Sequence, residues 1–275
     1  MLNFLYTVAI NEFKVLPFLA FWFCLERMFS IYPINYRELR INLVYYFFWV
    51  LGTGLVLLAL SKTLDPLSGN LKNWLAFNLQ FLTENMIVSV LIGLLAFDLF
   101  YYWYHRLQHT WPALWHQHAV HHSEIEMNVT TAFRHHWLEH VLMYPIVTLP
   151  VLLLSLPHPK EHSIYEYIFA SLIQYAGLFA HSNIRASFGR ANWLFVTPHT
   201  HRIHHSIESV HRNKNFAAYF PLIDIIFGTY YAPKKDEWPK TGLKGLYLKN
   251  ALELQSHPFK QWWRMFKKWR ATHAG

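Results

Sequence analysis

Twenty consecutive residues without a charge, Ile41 to Leu60, restrict this chain more than any other feature. As an α-helix they cover ~30 Å, the depth of a hydrocarbon core, where only helices and closed barrels satisfy their own backbone. A second apolar run, about Met86 to Tyr104, is interrupted only by Asp98, and a carboxylate at that depth is costly enough to need a partner or a task. Residues 1 to 25 form a third run, broken by Glu12 and Lys14, that reads as a tilted span or an interfacial segment. It has no small-residue cleavage site after a basic start, so a removable signal peptide is not expected. Val141 to Pro157 and Ile164 to Ala180 make a pair of ~25 Å helices across a polar break, as a spanning or a shallow hairpin.

The expectation is an all-α integral membrane protein with about four or five apolar segments and a polar helical cap. Three regions follow: N-terminal membrane segments (1–85), a catalytic region (86–235) that includes the apolar hairpin 141–180, and a C-terminal tail (236–275). A 53% hydrophobic and 18% aromatic composition agrees, being too apolar for an ordinary soluble fold. The single cysteine, Cys24, permits no internal disulfide and is expected to be a small buried hydrophobe.

Charge is uneven. Residues 182 to 275 carry 15 Lys/Arg against 5 Asp/Glu, whereas the first 181 carry 9 against 11. Beside apolar spans, that basic excess points to lipid headgroups rather than nucleic acid and places the cap on the cytoplasmic face, at an inner membrane or the endoplasmic reticulum. In the tail, Phe259, Trp262, Trp263, Phe266 and Trp269 recur at helical spacing with Lys and Arg between them, which reads as an interfacial helix or one packed on the cap.

Three groups stand out among the 19 histidines: His105 with His109; His118, His121 and His122; and His201, His204 and His205. The last two share the spacing HxxHH, whose positions i, i+3 and i+4 lie on one helical face, as do His105 and His109 at i, i+4. Packing eight imidazoles together without a metal would strand donors and acceptors, at ~1–3 kcal/mol for each. Eight ligands exceed a mononuclear site and suggest two metals, but imidazole suits iron, copper and zinc alike. There is no HExxH protease motif, and only Glu208 to His211 fits ExxH, so a ferritin-like carboxylate bundle is excluded. Asp98 and Tyr102 share a face with His105 and His109 and are candidates to hold a ligand's second ring nitrogen, directly or through a neighbour. A histidine-rich metal transporter or sensor is the rival from another class, although transporters place such ligands near the bilayer midplane.

The order DxxxYWxHRxxH (Asp98 to His109), HxxHH (His118 to His122), a segment Arg134 to Glu139, HSN (His181 to Asn183), TPxxHRxHH (Thr197 to His205), Asn215 with Phe216, and DxxFGT (Asp224 to Thr229) resembles the fatty acid hydroxylase superfamily, also called the sterol desaturase family. The resemblance implies a helical membrane protein with a cytosolic di-iron centre that activates O2, fed by an external electron donor and acting on a fatty acyl, sterol, sphingoid or related lipid. Zinc can also occupy such a site in purified protein, because imidazole accepts it. Hydroxylation is the expected reaction and desaturation by the same centre the nearest alternative. The resemblance carries the eight boxed histidines and His181 over as metal ligands, His136 and His199 as further candidates, and Glu139, Asn215 and Asp224, with Asp98 and Tyr102, as supporting positions. Ala217 departs from the pattern, since many relatives have Gly after the Asn-aromatic pair. No electron carrier is visible in the chain itself: it has no dinucleotide-binding glycine fingerprint, no haem attachment site and too few cysteines for an iron-sulfur cluster.

Overall fold

A computed structural model describes residues 15–48, 50–52, 54–55, 85–153 and 162–273, and within these the chain is helical, with isolated bridges and no strands. The helices are α1 (Leu16–Phe29), α2 (helical at 36–48, 50–52 and 54–55), α3 (Met86–Thr110), α4 (Pro112–His122), α5 (Trp137–Met143), α6 (Leu149–Leu153), α7 (His162–His181), α8 (Pro198–His204), α9 (Pro221–Ile226) and α10 (Ala251–His273). A π turn, Tyr144–Thr148, joins α5 to α6. The last part of the run Ile41 to Leu60, most of the first apolar run and the break between Val141–Pro157 and Ile164–Ala180 lie outside the described residues.

Among the described residues, one helix is long and apolar enough to cross a membrane, Ile87–Thr110. Its pattern is inside out. Ile87, Leu91, Leu95, Leu99, Trp103 and Leu107 recur every fourth residue and are all exposed, while Val90, Leu94, Asp98, Tyr102 and His105 are buried on the other side. α2 shows the same outward apolar stripe at Leu43, Phe47, Leu51 and Leu55. Cys24 corrects the expectation of burial: it is exposed, on an α1 whose Phe21 and Met28 also face outward, so the burial rule for soluble cores does not govern that surface.

The polar residues gather inside, at one end of α3. Thr110 ends that helix, Trp111 is extended, and Pro112 opens α4 with its φ preset and no N–H to leave unpaired. The chain therefore reverses at Trp111, laying α4 back on α3. Arg134 locks α4 to α2: its guanidinium donates to Glu38 Oε2 (2.7 Å), Asn42 Oδ1 (2.9 Å), Ser123 Oγ (3.1 Å) and the Val120 carbonyl (3.3 Å). Glu26 of α1 accepts the backbone N–H groups of Val129 (2.7 Å) and Asn183 (2.6 Å), tying α1 to the segments on either side of the α5–α7 region. The near half of α10 docks on α2 and α4 through Leu254, Tyr45 and Val120, and Trp262 Nε1 donates to the Ala113 carbonyl (2.7 Å). Residues 263–273 project beyond that contact, exposed all round, with Trp263, Phe266 and Trp269 stacked along one side.

Candidate metal centre

The boxed histidines converge from α3, α4 and α8, joined by His181 at the end of α7. Their ring nitrogens form two groups, each lying within 4.8 Å: His105, His109, His118, His122 and His204 in cluster A, and His121, His181, His201 and His205 in cluster B. The clusters touch, since the His122 and His205 rings stack with centroids 4.3 Å apart. Each HxxHH box divides the same way. Positions i and i+4 enter one cluster (His118 with His122, His201 with His205), and position i+3 (His121, His204) reaches across to the other. On a helix, i+3 and i+4 diverge by about 100° around the axis, which is why one box can feed both clusters.

Local folding fixes these angles. α8 begins with a capping box in which Thr197 and Thr200 exchange side-chain and backbone bonds, followed by Pro198 in the first turn. α5 begins likewise, with the His136 Nδ1 and Glu139 closing reciprocal bonds. That use removes His136 from the clusters: its Nε2 donates to the Gln255 carbonyl (3.2 Å). His199 is also elsewhere, donating from Nε2 to the Glu237 carbonyl (2.9 Å) and stacked 4.1 Å from Trp238.

The second nitrogens decide what the rings can do. Nδ1 of His105 faces the Phe216 carbonyl at 2.7 Å, that of His181 faces the Gly177 carbonyl at 2.7 Å, and that of His204 faces the Lys214 carbonyl at 2.9 Å. A carbonyl oxygen only accepts, so each of these nitrogens carries the proton and each Nε2 is a bare lone pair. His118 Nδ1 faces Glu139 Oε2 at 3.0 Å. Burial pushes the Glu139 carboxyl up, but His135 and His118 beside it outweigh this and hold it well below the usual range, so it too is an acceptor. His121, His122, His201 and His205 are held well below 6.5 by burial first and by neighbouring rings second, which keeps them neutral at pH 7.

Nε2 of His105 and of His118 then face each other at 3.0 Å, lone pair to lone pair. His181 Nε2 lies 3.1 Å from His121 Nε2 and 2.9 Å from His201 Nε2. Nε2 of His109 and of His204 are buried without any hydrogen-bond partner among the described residues. Such an array is repulsive unless a cation sits among the nitrogens. Its spacing fits one, because ligands ~2.1 Å from a metal and 90° apart are separated by ~3.0 Å, against ~3.4 Å for a tetrahedron.

The remaining positions singled out from the sequence support the backbone rather than the rings. Asp98 bonds no imidazole: it accepts the N–H groups of Ala218 (2.6 Å), Tyr219 (3.0 Å) and Phe220 (2.7 Å). Asp224 accepts those of Phe216 (2.8 Å) and Ala217 (2.9 Å) and the Thr229 hydroxyl (2.7 Å). The two carboxylates thus pin a five-residue loop whose Phe216 carbonyl orients His105, so Asp98 acts through a neighbour. Tyr102 meets the Thr229 hydroxyl (2.9 Å) and Arg106 (3.0 Å). Asn215, at φ 57°, donates to the Thr200 and Tyr231 carbonyls. Ala217 is buried with no need for glycine's freedom, since positive φ falls at Asn215 instead.

Sequence reasoning passed over His135. Its Nδ1 lies 3.2 Å from the same Glu139 oxygen, and its ring stacks on His121 with centroids 4.0 Å apart. The signal was its place directly before His136 in the segment ending at Glu139. Gln108, which donates to that oxygen at 3.0 Å, was passed over as well.

The chain is similar to ornithine lipid hydroxylase OlsE of Rhizobium tropici, 29% identical over 174 residues covering 63% of this chain and 51% of that protein. It is 29% identical over 161 residues to human alkylglycerol monooxygenase, covering 58% and 34% of the two chains. A very-long-chain aldehyde decarbonylase of Oryza sativa subsp. indica is 26% identical over 171 residues, or 59% and 26%. The chain therefore spans about half the length of these relatives or less. No solved structure matches it. The sequence profile described as fatty acid hydroxylase matches residues 90–229, just over half of the chain and the stretch that carries all nine converging histidines, and on that match the chain belongs to the fatty acid hydroxylase family.

Proposed function

We propose that the protein is an integral-membrane oxygenase that hydroxylates a C–H bond of a lipid, using two iron ions, O2 and electrons from a separate carrier. The observation that carries this reading is the facing pair of bare Nε2 atoms of His105 and His118 at 3.0 Å, which makes little sense without a cation. Five rings would hold one ion and four the other, and neither set saturates an octahedral ion. Iron bound there supplies the activation of O2 when electrons arrive from outside the chain.

The protein's own part is to hold, exclude and orient. Phe216, Lys214, Gly177 and Glu139 hold four ligand tautomers so that Nε2 always faces the ions. All nine rings except His109 are buried, which limits the water that reaches a reactive centre. The outward apolar stripes of α2 and α3 support placement in a bilayer, from which a lipid reaches the end of α3 without crossing water. The basic excess of residues 182–275 supports a cytoplasmic cap, and the free end of α10, with its aromatic and basic faces, supports contact with the headgroup layer. The relatives' activities, lipid hydroxylation and alkylglycerol oxygenation, agree with this chemistry.

The test is O2 uptake and 18O incorporation by iron-loaded protein in native lipid with a chemical reductant. Lipid-stimulated uptake with labelled hydroxyl product is expected, and its loss in His121→Ala and His204→Ala. An unlabelled olefin would identify a desaturase, and ion accumulation in sealed vesicles a transporter.

A further inference from the structure

We propose that a cavity beside cluster A is a subsite for the anionic headgroup of an amphiphile, a phosphate ester or a free carboxylate, so that the bond oxidised lies in the headgroup or in the first few carbons next to it. This rests on the lipid-oxygenase reading and adds which end of the lipid is addressed.

The cavity is about 840 Å3, room for a headgroup with its adjoining carbons, and its inner wall is made of the His109, His122 and His204 rings. Its other walls are α4, the loop 206–213, the loop 242–246 and the docked part of α10. Apolar and polar groups share these walls about equally, and two cations stand among the polar ones. Arg212 and Lys244 are exposed along the cavity, and among the described residues neither side chain has a hydrogen-bond or ion-pair partner. Glu208 is the one acid in the lining, so the fixed charge is two positive against one negative. His116 and His257 also line it.

A site that took only mid-chain methylenes would gain nothing from two unpaired cations in its wall, because burying methylenes rewards an apolar lining. Guanidinium and ammonium groups instead match a phosphate or carboxylate. Depth agrees with this. His109 and Thr110 end the span-length helix, which is the level of headgroups when that helix crosses a bilayer, so a lipid enters without leaving its leaflet.

The wall carrying Lys244 is held in place. Gly242 has φ +112°, its N–H donates to the His205 carbonyl (3.1 Å), and a Cβ there would lie 3.2 Å from Ile125 Cα. The loop is thereby clamped to the backbone of His205, which holds the wall that carries Lys244 beside the histidine clusters.

The experiment uses the full chain in phosphatidylcholine nanodiscs, with and without Fe(II), and measures binding of dihexanoyl phosphatidic acid and of uncharged dihexanoylglycerol by calorimetry. The phosphatidic acid is expected to bind, and the double variant Arg212→Gln/Lys244→Gln to weaken it at least tenfold while leaving dihexanoylglycerol unchanged. Both exchanged side chains are exposed, so folding is not at stake. Equal binding by variant and wild type overturns the subsite, and displacement by inorganic phosphate at matching affinity overturns its assignment to a lipid. Headgroup binding that persists in a protein unable to take up iron keeps the subsite and removes the oxygenase reading. Iron uptake with charge-insensitive binding does the reverse.

Discussion

Replacing Asp98 with Asn tests whether a carboxylate that touches no imidazole nonetheless governs one. Oδ1 accepts the Ala218 N–H and Oδ2 accepts those of Tyr219 and Phe220, at 2.6, 3.0 and 2.7 Å. Asparagine offers a single acceptor oxygen. Turned to keep the Tyr219 and Phe220 bonds, it presents its NH2 group to the Ala218 N–H. One charge-assisted bond is lost, about 1.5–3 kcal/mol, and a buried donor is left unpaired at about 1–3 kcal/mol more. The loop then relaxes at the Phe216 carbonyl that holds His105 Nδ1 at 2.7 Å, and loosening such a partner costs roughly 10–100-fold in metal affinity. Two readouts are needed, thermal unfolding of the metal-free protein in detergent and Fe(II) affinity by anaerobic titration. A fall in melting temperature of roughly 5 °C or more should accompany weakened binding of one iron equivalent. Unchanged melting with unchanged affinity would refute the loop-anchoring role.

Three further outcomes follow from particular contacts. Glu139→Gln weakens the carboxylate that backs His118 and should lower affinity at cluster A by roughly 10–100-fold while cluster B still fills, so that limiting iron loads one site; equal loss at both sites would contradict this. Arg134→Met strands the Glu38 and Glu124 carboxylates around a buried site and should cost about 3–5 kcal/mol, seen as a large drop in melting temperature that Glu38→Gln partly restores. His257, held down to about 4 by burial and then by His116 and nearby cations, is neutral when α10 is docked. The undocked helix binds the proton from about 6.5 downward, so docking weakens as pH falls from about 6.5 to 4 and is at full strength above that window. Hydrogen exchange in 251–273, corrected for intrinsic rate, should rise between pH 7 and 5, and a flat profile would count against it.

The convergence of eight histidines was legible because HxxHH and an i, i+4 pair on helices leave so few directions for their rings, whereas His181 came from the family resemblance alone. The division of each box between clusters was not drawn from the same spacing, although the i+3 and i+4 offsets contain it. Longer-range partners were invisible for a physical reason: the Glu38 to Arg134 ion pair joins residues 96 apart, and neither shows in its own neighbourhood that it is buried. Asp98 was singled out for the right cost and as a support acting directly or through a neighbour, but which neighbour was not legible, since backbone N–H groups leave no mark on a sequence. The loop 216–220 is what lies between that carboxylate and the His105 ring. Cys24 was misplaced because an apolar helix in this chain points part of its hydrophobic surface outward.

The most direct measurement is the number of Fe(II) equivalents bound per chain in an anaerobic titration of chelator-stripped, full-length protein. Two equivalents are predicted for the wild type, with the His204→Ala and His121→Ala variants each impaired at the cluster that ring enters. Binding of a single equivalent, or uptake that ignores both substitutions, would contradict a centre built from two groups of imidazoles.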